Sequence, residues 1–236
     1  MNNLKKLTAA LFLSAISFGS FAQTVDEIVN KHIEAIGGKE NWAKVKTLKT
    51  EIKMKAQGAE IQMTILQVDK KAMRQNISLM GMTGYSIITT TEGWNYMPFQ
   101  GQTKPEPMTA DDVKNSQDDL QLQNEFISYK DQGKKLEYLG KDDIDGTECY
   151  KLKMTNKDAQ ETTYFMDASN YYIVKETKKI KANGQEMEDI STFGNYKKLP
   201  EGIVFPMTVT SGWGEMEITK LEVNGVIEDS NFTAPK

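Results

Sequence analysis

From Thr47 the chain alternates. Leu48, Thr50, Ile52, Met54 and Ala56 share one parity, and Lys49, Glu51, Lys53 and Lys55 the other. Side chains of a strand point to opposite faces in turn, so this period of two predicts a half-buried antiparallel strand. The pattern recurs down the chain. Gln57-Gly58 turns into Ile61, Met63 and Ile65, and runs follow at 72–80, 85–91 and 94–99, with Gly81, Gly84 and Glu92-Gly93 between them. After residue 134 the runs resume at 135–140, 149–155, 162–167, 172–180, 187–196, 203–211 and 216–223. Turn signals such as Asp145-Gly146, Asn183-Gly184 and Gly212 to Gly214 separate them, as in sequential hairpins. So long a succession must curl or close to protect its edges. The predicted class is mainly β (α+β): a curled antiparallel sheet or half-barrel of about 11–12 strands, with helices covering its concave face.

Two regions depart from this period. Thr24 and Glu27 form a capping-box pattern, and Val25, Ile28, Val29, Ile33 and Ile36 then repeat at helical spacing up to Gly37-Gly38, which predicts an amphipathic helix. His32, the single histidine, is read as a surface or edge residue of it. Residues 39–45 add one or two turns with Trp42 and Val45 facing inward. Later, Thr109 caps a second predicted helix running to about Ile127. Its apolar face is thin (Val113, Leu120, Phe126 and Ile127). Such a helix lies across a sheet or over an opening.

Ahead of the first helix, Lys5 and Lys6 precede an apolar stretch from Leu7 to Phe21, and Ser20-Phe21-Ala22 sets small residues at a cleavage site. Residues 1–22 therefore read as a signal peptide cut after Ala22, and 23–236 as one domain, exported to the periplasm. The formal charge is −4, and more negative once the leader's two lysines are gone. Without a basic stripe to displace counterions, nucleic acid is not an expected partner. One cysteine, Cys149, and one histidine leave no His/Cys zinc set and no internal disulfide. No catalytic motif is found, so neither an enzyme nor a cofactor is expected. Cys149 reads as a buried packing residue.

Thirteen methionines lie mostly on or beside strands. Thioether chains suit surfaces that fit variable apolar partners, though any one of them also serves as core filler. The expected apolar cavity is lined from Met54, Met63, Ile65, Met73, Ile77, Ile87, Trp94, Leu120, Leu152 and Met166, with strand register deciding the face of each. Arg74, the sole arginine, has a planar fork that suits a carboxylate or phosphate head group; the alternative is a solvated strand face.

Several segments carry a resemblance. They are His32-Ile33-Glu34-Ala35-Ile36-Gly37-Gly38-Lys39, Thr91-Glu92-Gly93-Trp94-Asn95-Tyr96 with Pro98, Cys149-Tyr150-Lys151-Leu152, Tyr164-Phe165-Met166-Asp167, and Phe205-Pro206 with Val223-Asn224, Ile227, Phe232 and Pro235. In this order they resemble the outer-membrane lipoprotein-sorting, LolA-like family in its Bacteroidota form, over nearly the whole chain after the leader. Where typical carriers have an arginine followed by proline, Val68-Asp69-Lys70-Lys71 stands here. The resemblance implies a LolA/LolB-like half-barrel that shelters lipoprotein acyl chains or another lipid. It implies a periplasmic monomer working between inner-membrane donor and outer-membrane acceptor proteins. The alternative is a lipid-sensing envelope-stress regulator that binds a protein partner.

Overall fold

A computed structural model describes residues 24–56, 58–182 and 185–233. The leader and its cleavage site lie outside these residues. The chain opens with α1 (Val25–Ala35) and α2 (Lys39–Ala43). Five strands follow: β1 (Thr47–Ala56), β2 (Ala59–Val68), β3 (Ala72–Leu79), β4 (Met82–Thr89) and β5 (Gly93–Tyr96). A two-residue β6 (Glu106–Pro107), α3 (Ala110–Asn115) and α4 (Glu125–Ser128) make the middle of the chain. Seven more strands complete it: β7 (Lys135–Ile144), β8 (Thr147–Thr155), β9 (Glu161–Asp167), β10 (Ile173–Ala182), β11 (Gln185–Lys198), β12 (Val204–Ser211) and β13 (Gly214–Val223).

All 13 described strands join one antiparallel sheet, in the order β6-β5-β4-β3-β2-β1-β13-β12-β11-β10-β9-β8-β7. The first strand pairs with the last, Leu48 opposite Val223 and Met54 opposite Met216. This closes two meanders into one open, curled sheet whose edges are β6 and β7. The strand beyond the predicted count is β6, too short for a periodicity to show.

Register assigns the two faces. Crossing from β1 to β4, Thr50 faces Ile65, Ile65 faces Gln75 and Gln75 faces Ser86. This row lies on the inner face, with Ile52, Met54, Met63, Met207 and Ile218. The neighbouring row, Leu66–Arg74–Ile87–Trp94, lies on the outer face. There the C-terminal segment covers it, with Ile227 and Phe232 packed on Ala72, Ile87, Tyr85 and Trp94.

The helices lie on the inner face. The capping box on Thr24 starts α1, and its stripe of Ile28, Val29 and Ile33 packs on Tyr150, Leu152, Met154, Tyr164 and Met166. His32 is only 1% exposed, so the expected surface position is wrong. It stands four residues after Ile28 and three after Val29, inside the same stripe. The end of α1 is tied to the sheet. The Ile36 carbonyl accepts hydrogen bonds from Val204 N and from Trp42 Nε1, both at 2.9 Å. Gly37, at φ +108°, lies so close to Gly202 that a Cβ would strike the Gly202 carbonyl.

The predicted helix from Thr109 to Ile127 is in fact three short pieces. Thr109 does cap α3 through a capping box with Asp112. The helix then stops at Ser116, one 3-10 turn follows at Asp118–Leu120, and Asn124 caps α4 anew. With so few apolar side chains, a continuous helix would have had little to bury. The irregular path instead places Val113, Leu120, Leu122 and Phe126 inward one at a time. The β2–β3 turn holds this strap down: Asp69 Oδ1 accepts from Leu122 N at 3.1 Å, and Lys70 N donates to the Leu120 carbonyl at 2.8 Å. The turn at Val68 to Lys71 thus bonds the strap through backbone and carboxylate.

Candidate functional site

Between the inner face of β10–β12 and the helical layer lies a cavity of about 260 Å³. Ile36 and Trp42 come from the α1–α2 corner, Leu122 from the strap, and Phe193, Val204 and Phe205 from the sheet. Trp42 is fixed by its hydrogen bond to Ile36 and tilts against Phe205 at 6.4 Å between ring centres. Tyr196 stacks on Tyr172 at 4.4 Å and donates to the Ile173 carbonyl at 2.6 Å. The walls are therefore aromatic and aliphatic surfaces in which Trp42 and Tyr196 are anchored by hydrogen bonds. Phe205 also packs against the cluster of Met54, Met63 and Met207, so the cavity wall runs into a methionine-rich floor.

Four polar residues interrupt this lining: His32, Asn124, Glu125 and Glu176. The His32 Nδ1 lies 2.7 Å from the Tyr171 carbonyl. A carbonyl only accepts, so Nδ1 carries the proton and Nε2 presents a lone pair. That Nε2 is buried and has no hydrogen-bond partner among the described residues. Burial holds the His32 pKa below its ordinary value, against the pull of the Tyr171 carbonyl. Glu176 pairs with Lys178 at 3.1 Å. Burial raises the Glu176 pKa, with Lys178 opposing. Burial also works against the Lys178 ammonium, yet Glu176, with Glu125 and Asp119 farther off, holds its pKa above the lysine norm. Tyr164 donates to Glu125, and its own pKa is pushed well up, first by burial and then by that carboxylate.

The residues expected from sequence fall in four places. Met54 and Met63 are buried in the inner floor, with Ile65 and Ile77 packed against them. Met73 shares this face, opposite Gln67 and Ile88. Leu120 is buried in the strap, while Leu152 and Met166 fill the solid core beneath α1. Ile87 and Trp94 are on the wrong side of the sheet for an inner cavity. They face outward, beneath Ile227 and Phe232. Arg74 faces outward too. Its Nη1 donates to the Asn231 carbonyl at 3.0 Å, its Nε to Asn76 Oδ1 at 2.8 Å, and its guanidinium lies 4.7 Å from the centre of the Tyr85 ring. It clamps the C-terminal segment and is remote from any head group in the cavity. None of the ten expected residues lines the 260 Å³ space.

Several residues that do line it were missed. Phe193 and Phe205 stand at inward positions of β11 and β12, strands whose alternation was visible. Trp42 was expected to face inward. What the sequence withheld is which strands the helices leave uncovered.

Among the described residues, no group of three or more His, Cys, Asp or Glu side chains is placed to hold a metal ion, and no helix is long and apolar enough to cross a membrane.

No family model matches the chain, and no curated protein matches it. Solved structures do. A LolA superfamily protein from Nitrosomonas europaea superposes with a TM-score of 0.56 at 16% identity, over 89% of this chain and 98% of that one. The chain has the LolA-like fold. A domain described as an outer membrane lipoprotein-sorting protein, from Vibrio parahaemolyticus, gives 0.52 at 16% identity over 87% and 94%. A DUF1329 family protein from Desulfovibrio piger gives 0.56 at 12% over 89% and 97%. In LolA-like terms, α1 and the strap are the helical layer of a curled half-barrel, and the cavity is the space left between layer and sheet.

Proposed function

We propose that this chain is a periplasmic binding protein that carries a lipid, or the acyl chains of a lipoprotein, inside its half-barrel. The observation that carries this reading is the 260 Å³ cavity walled by Ile36, Trp42, Leu122, Phe193 and Phe205. It is near the lower end of ligand pockets, roughly 300–1,000 Å³. It therefore takes part of an acyl chain, the remainder lying along the methionine floor. Each buried methylene gains ~0.8 kcal/mol, so a long chain offsets the cost of its ordering. Methionine side chains adjust to chains of different length and branching.

The same reading makes the protein a carrier and not a catalyst, exported by the leader of residues 1–22, cut after Ala22, and working as a monomer between membrane donor and acceptor proteins. Mass spectrometry of protein purified from its native periplasm tests both parts. The polypeptide should begin at Gln23, and organic extraction should release a stoichiometric lipid. A chain that keeps Met1 to Ala22, or native protein with no extractable lipid, would count against it.

A further inference from the structure

Beside the apolar cavity lies a second space of opposite chemistry, about 650 Å³ in volume, between the strap and the inner face of β8–β10. Glu125 and Tyr164 line both spaces, so the two adjoin at this hydrogen-bonded pair. Six amide side chains line the larger one: Asn115, Gln121, Gln123, Gln132, Asn156 and Gln160. Among the described residues, Met154 and Tyr164 are the only apolar or aromatic side chains in this lining. Gln121, Gln123, Gln132 and Asn156 are half-buried, and an inner face built to hold acyl chains alone gains nothing from them, because their donors and acceptors must be partly desolvated.

Two of the three lysines in the lining are already paired. Lys134 sits between Asp118 at 3.2 Å and Glu125 at 3.4 Å, with its side chain only 11% exposed. Lys178 is paired with Glu176 at 3.1 Å. The lining holds three lysines against four carboxylates, so a phosphate would meet no surplus of positive charge. Asn156 and Gln160 are bonded to each other at 2.9 Å in the β8–β9 turn, whereas Gln132 keeps unused capacity. Gln132 donates to Gln121 Oε1 at 2.8 Å and to Ser128 Oγ at 2.7 Å, yet its own Oε1 is buried with no partner among the described residues. Planar amides and carboxylates, each offering donors or acceptors in pairs, match adjacent hydroxyls, which both donate and accept.

We propose that this space is a binding site for a neutral polyhydroxylated group of the sugar type. Because it adjoins the acyl cavity, it makes the preferred ligand an amphiphile with a glycosyl head. This deepens the proposed carrier reading and rests on it for the apolar half only. The same chemistry is offered by a glycolipid head or by a soluble oligosaccharide.

Titration calorimetry of the full mature chain, below the micelle concentration of each probe, tests the assignment with dodecyl maltoside, dodecylphosphocholine and maltose. Dodecyl maltoside is expected to bind at least about tenfold more tightly than dodecylphosphocholine, the margin that one or two good hydrogen bonds supply. Gln121→Ala/Gln123→Ala, in the half-exposed strap, should erase that margin and leave dodecylphosphocholine unchanged, with circular dichroism confirming the fold. Maltose binding that the double variant abolishes would identify a soluble sugar as the source. Equal affinity for the two dodecyl probes, or a margin that survives the double variant, overturns the sugar site while leaving the carrier reading intact. Dodecyl maltoside bound no more tightly than maltose, with dodecylphosphocholine unbound, overturns the carrier reading and leaves the sugar site.

Discussion

His32 and Tyr171 meet through a 2.7 Å contact from the imidazole Nδ1 to the backbone carbonyl, which fixes the tautomer of a buried histidine on the inner wall. Charging this ring would place an uncompensated cation among Ile28, Ile33 and Phe126, whose ring meets it edge-on at 5.1 Å. Carboxylates do line the neighbouring space, Glu125 and Glu176 among them, but each already has a partner in Tyr164 or Lys178.

A pH dependence follows. Burial lowers the folded-state pKa of His32, while the unfolded chain keeps a value of ~6.5. Between the two the unfolded chain binds more protons, so stability is lost as pH falls below ~6.5 toward the folded value. His32→Asn keeps a donor for the Tyr171 carbonyl and removes the titration. Its melting temperature should fall less than the parent's between about pH 7.5 and 5.5. Parallel falls in the two proteins would show that His32 is not a source of the slope.

Arg74 is expected to act on the C-terminal segment and not on ligand. Its hydrogen bonds to Asn231 and Asn76, and its stacking on Tyr85, predict a loss of ~1.5–3 kcal/mol for Arg74→Ala. Arg74→Lys should recover little, because an ammonium cannot reproduce the fork. Urea denaturation measures this. Fatty-acid affinity of the folded variants should equal the parent's, and a loss of affinity would return Arg74 to the site.

The contrast between Arg74 and Trp42 shows how far the sequence was legible. Strand existence and order could be read, because alternation such as Leu48 to Ala56 is a local consequence of having one buried face. The face itself was harder to assign. Ile87 and Ile88 are both buried, so β4 gives no parity signal. The cover over Ile87, Trp94 and Arg74 comes from Ile227 to Phe232, about 140 residues away in sequence. His32 was legible and misread, since its spacing from Ile28 and Val29 already put it on the buried stripe. The amide-lined space draws on scattered strap and strand residues with no shared motif, and only the fold brings them together.

Gly37 predicts a stability effect without a contact of its own. Its positive φ and its closeness to the Gly202 carbonyl leave no room for a methyl group. Gly37→Ala should cost more than ~2 kcal/mol, combining left-handed strain with a forced backbone shift. Gly38→Ala shares a positive φ but meets open space, and should cost less. Equal losses in thermal denaturation would mean that the contact of the α1 end with Gly202 is unimportant.

Cys149 is fully buried and its thiol bonds weakly to the Thr147 carbonyl at 3.4 Å. Burial, with Asp167 nearby, pushes the thiol pKa up to about 11. Reaction with a thiol reagent at neutral pH should therefore require unfolding, and Cys149→Ala should cost at most about 2 kcal/mol while leaving acyl binding unchanged. Rapid labelling of native protein would contradict this placement.

The carrier account turns on whether the inner wall holds acyl chains. Phe193, half-buried on the wall of the cavity, and Lys53, exposed on the outer face of β1, provide the comparison. Fluorescence titration with a dansylated undecanoic acid should show Phe193→Glu binding at least about tenfold more weakly than the parent, because the carboxylate would stay desolvated beside the chain. Lys53→Glu should bind as the parent does. If folded Phe193→Glu keeps the parental affinity, or if the parent itself binds no acyl probe, the account is contradicted.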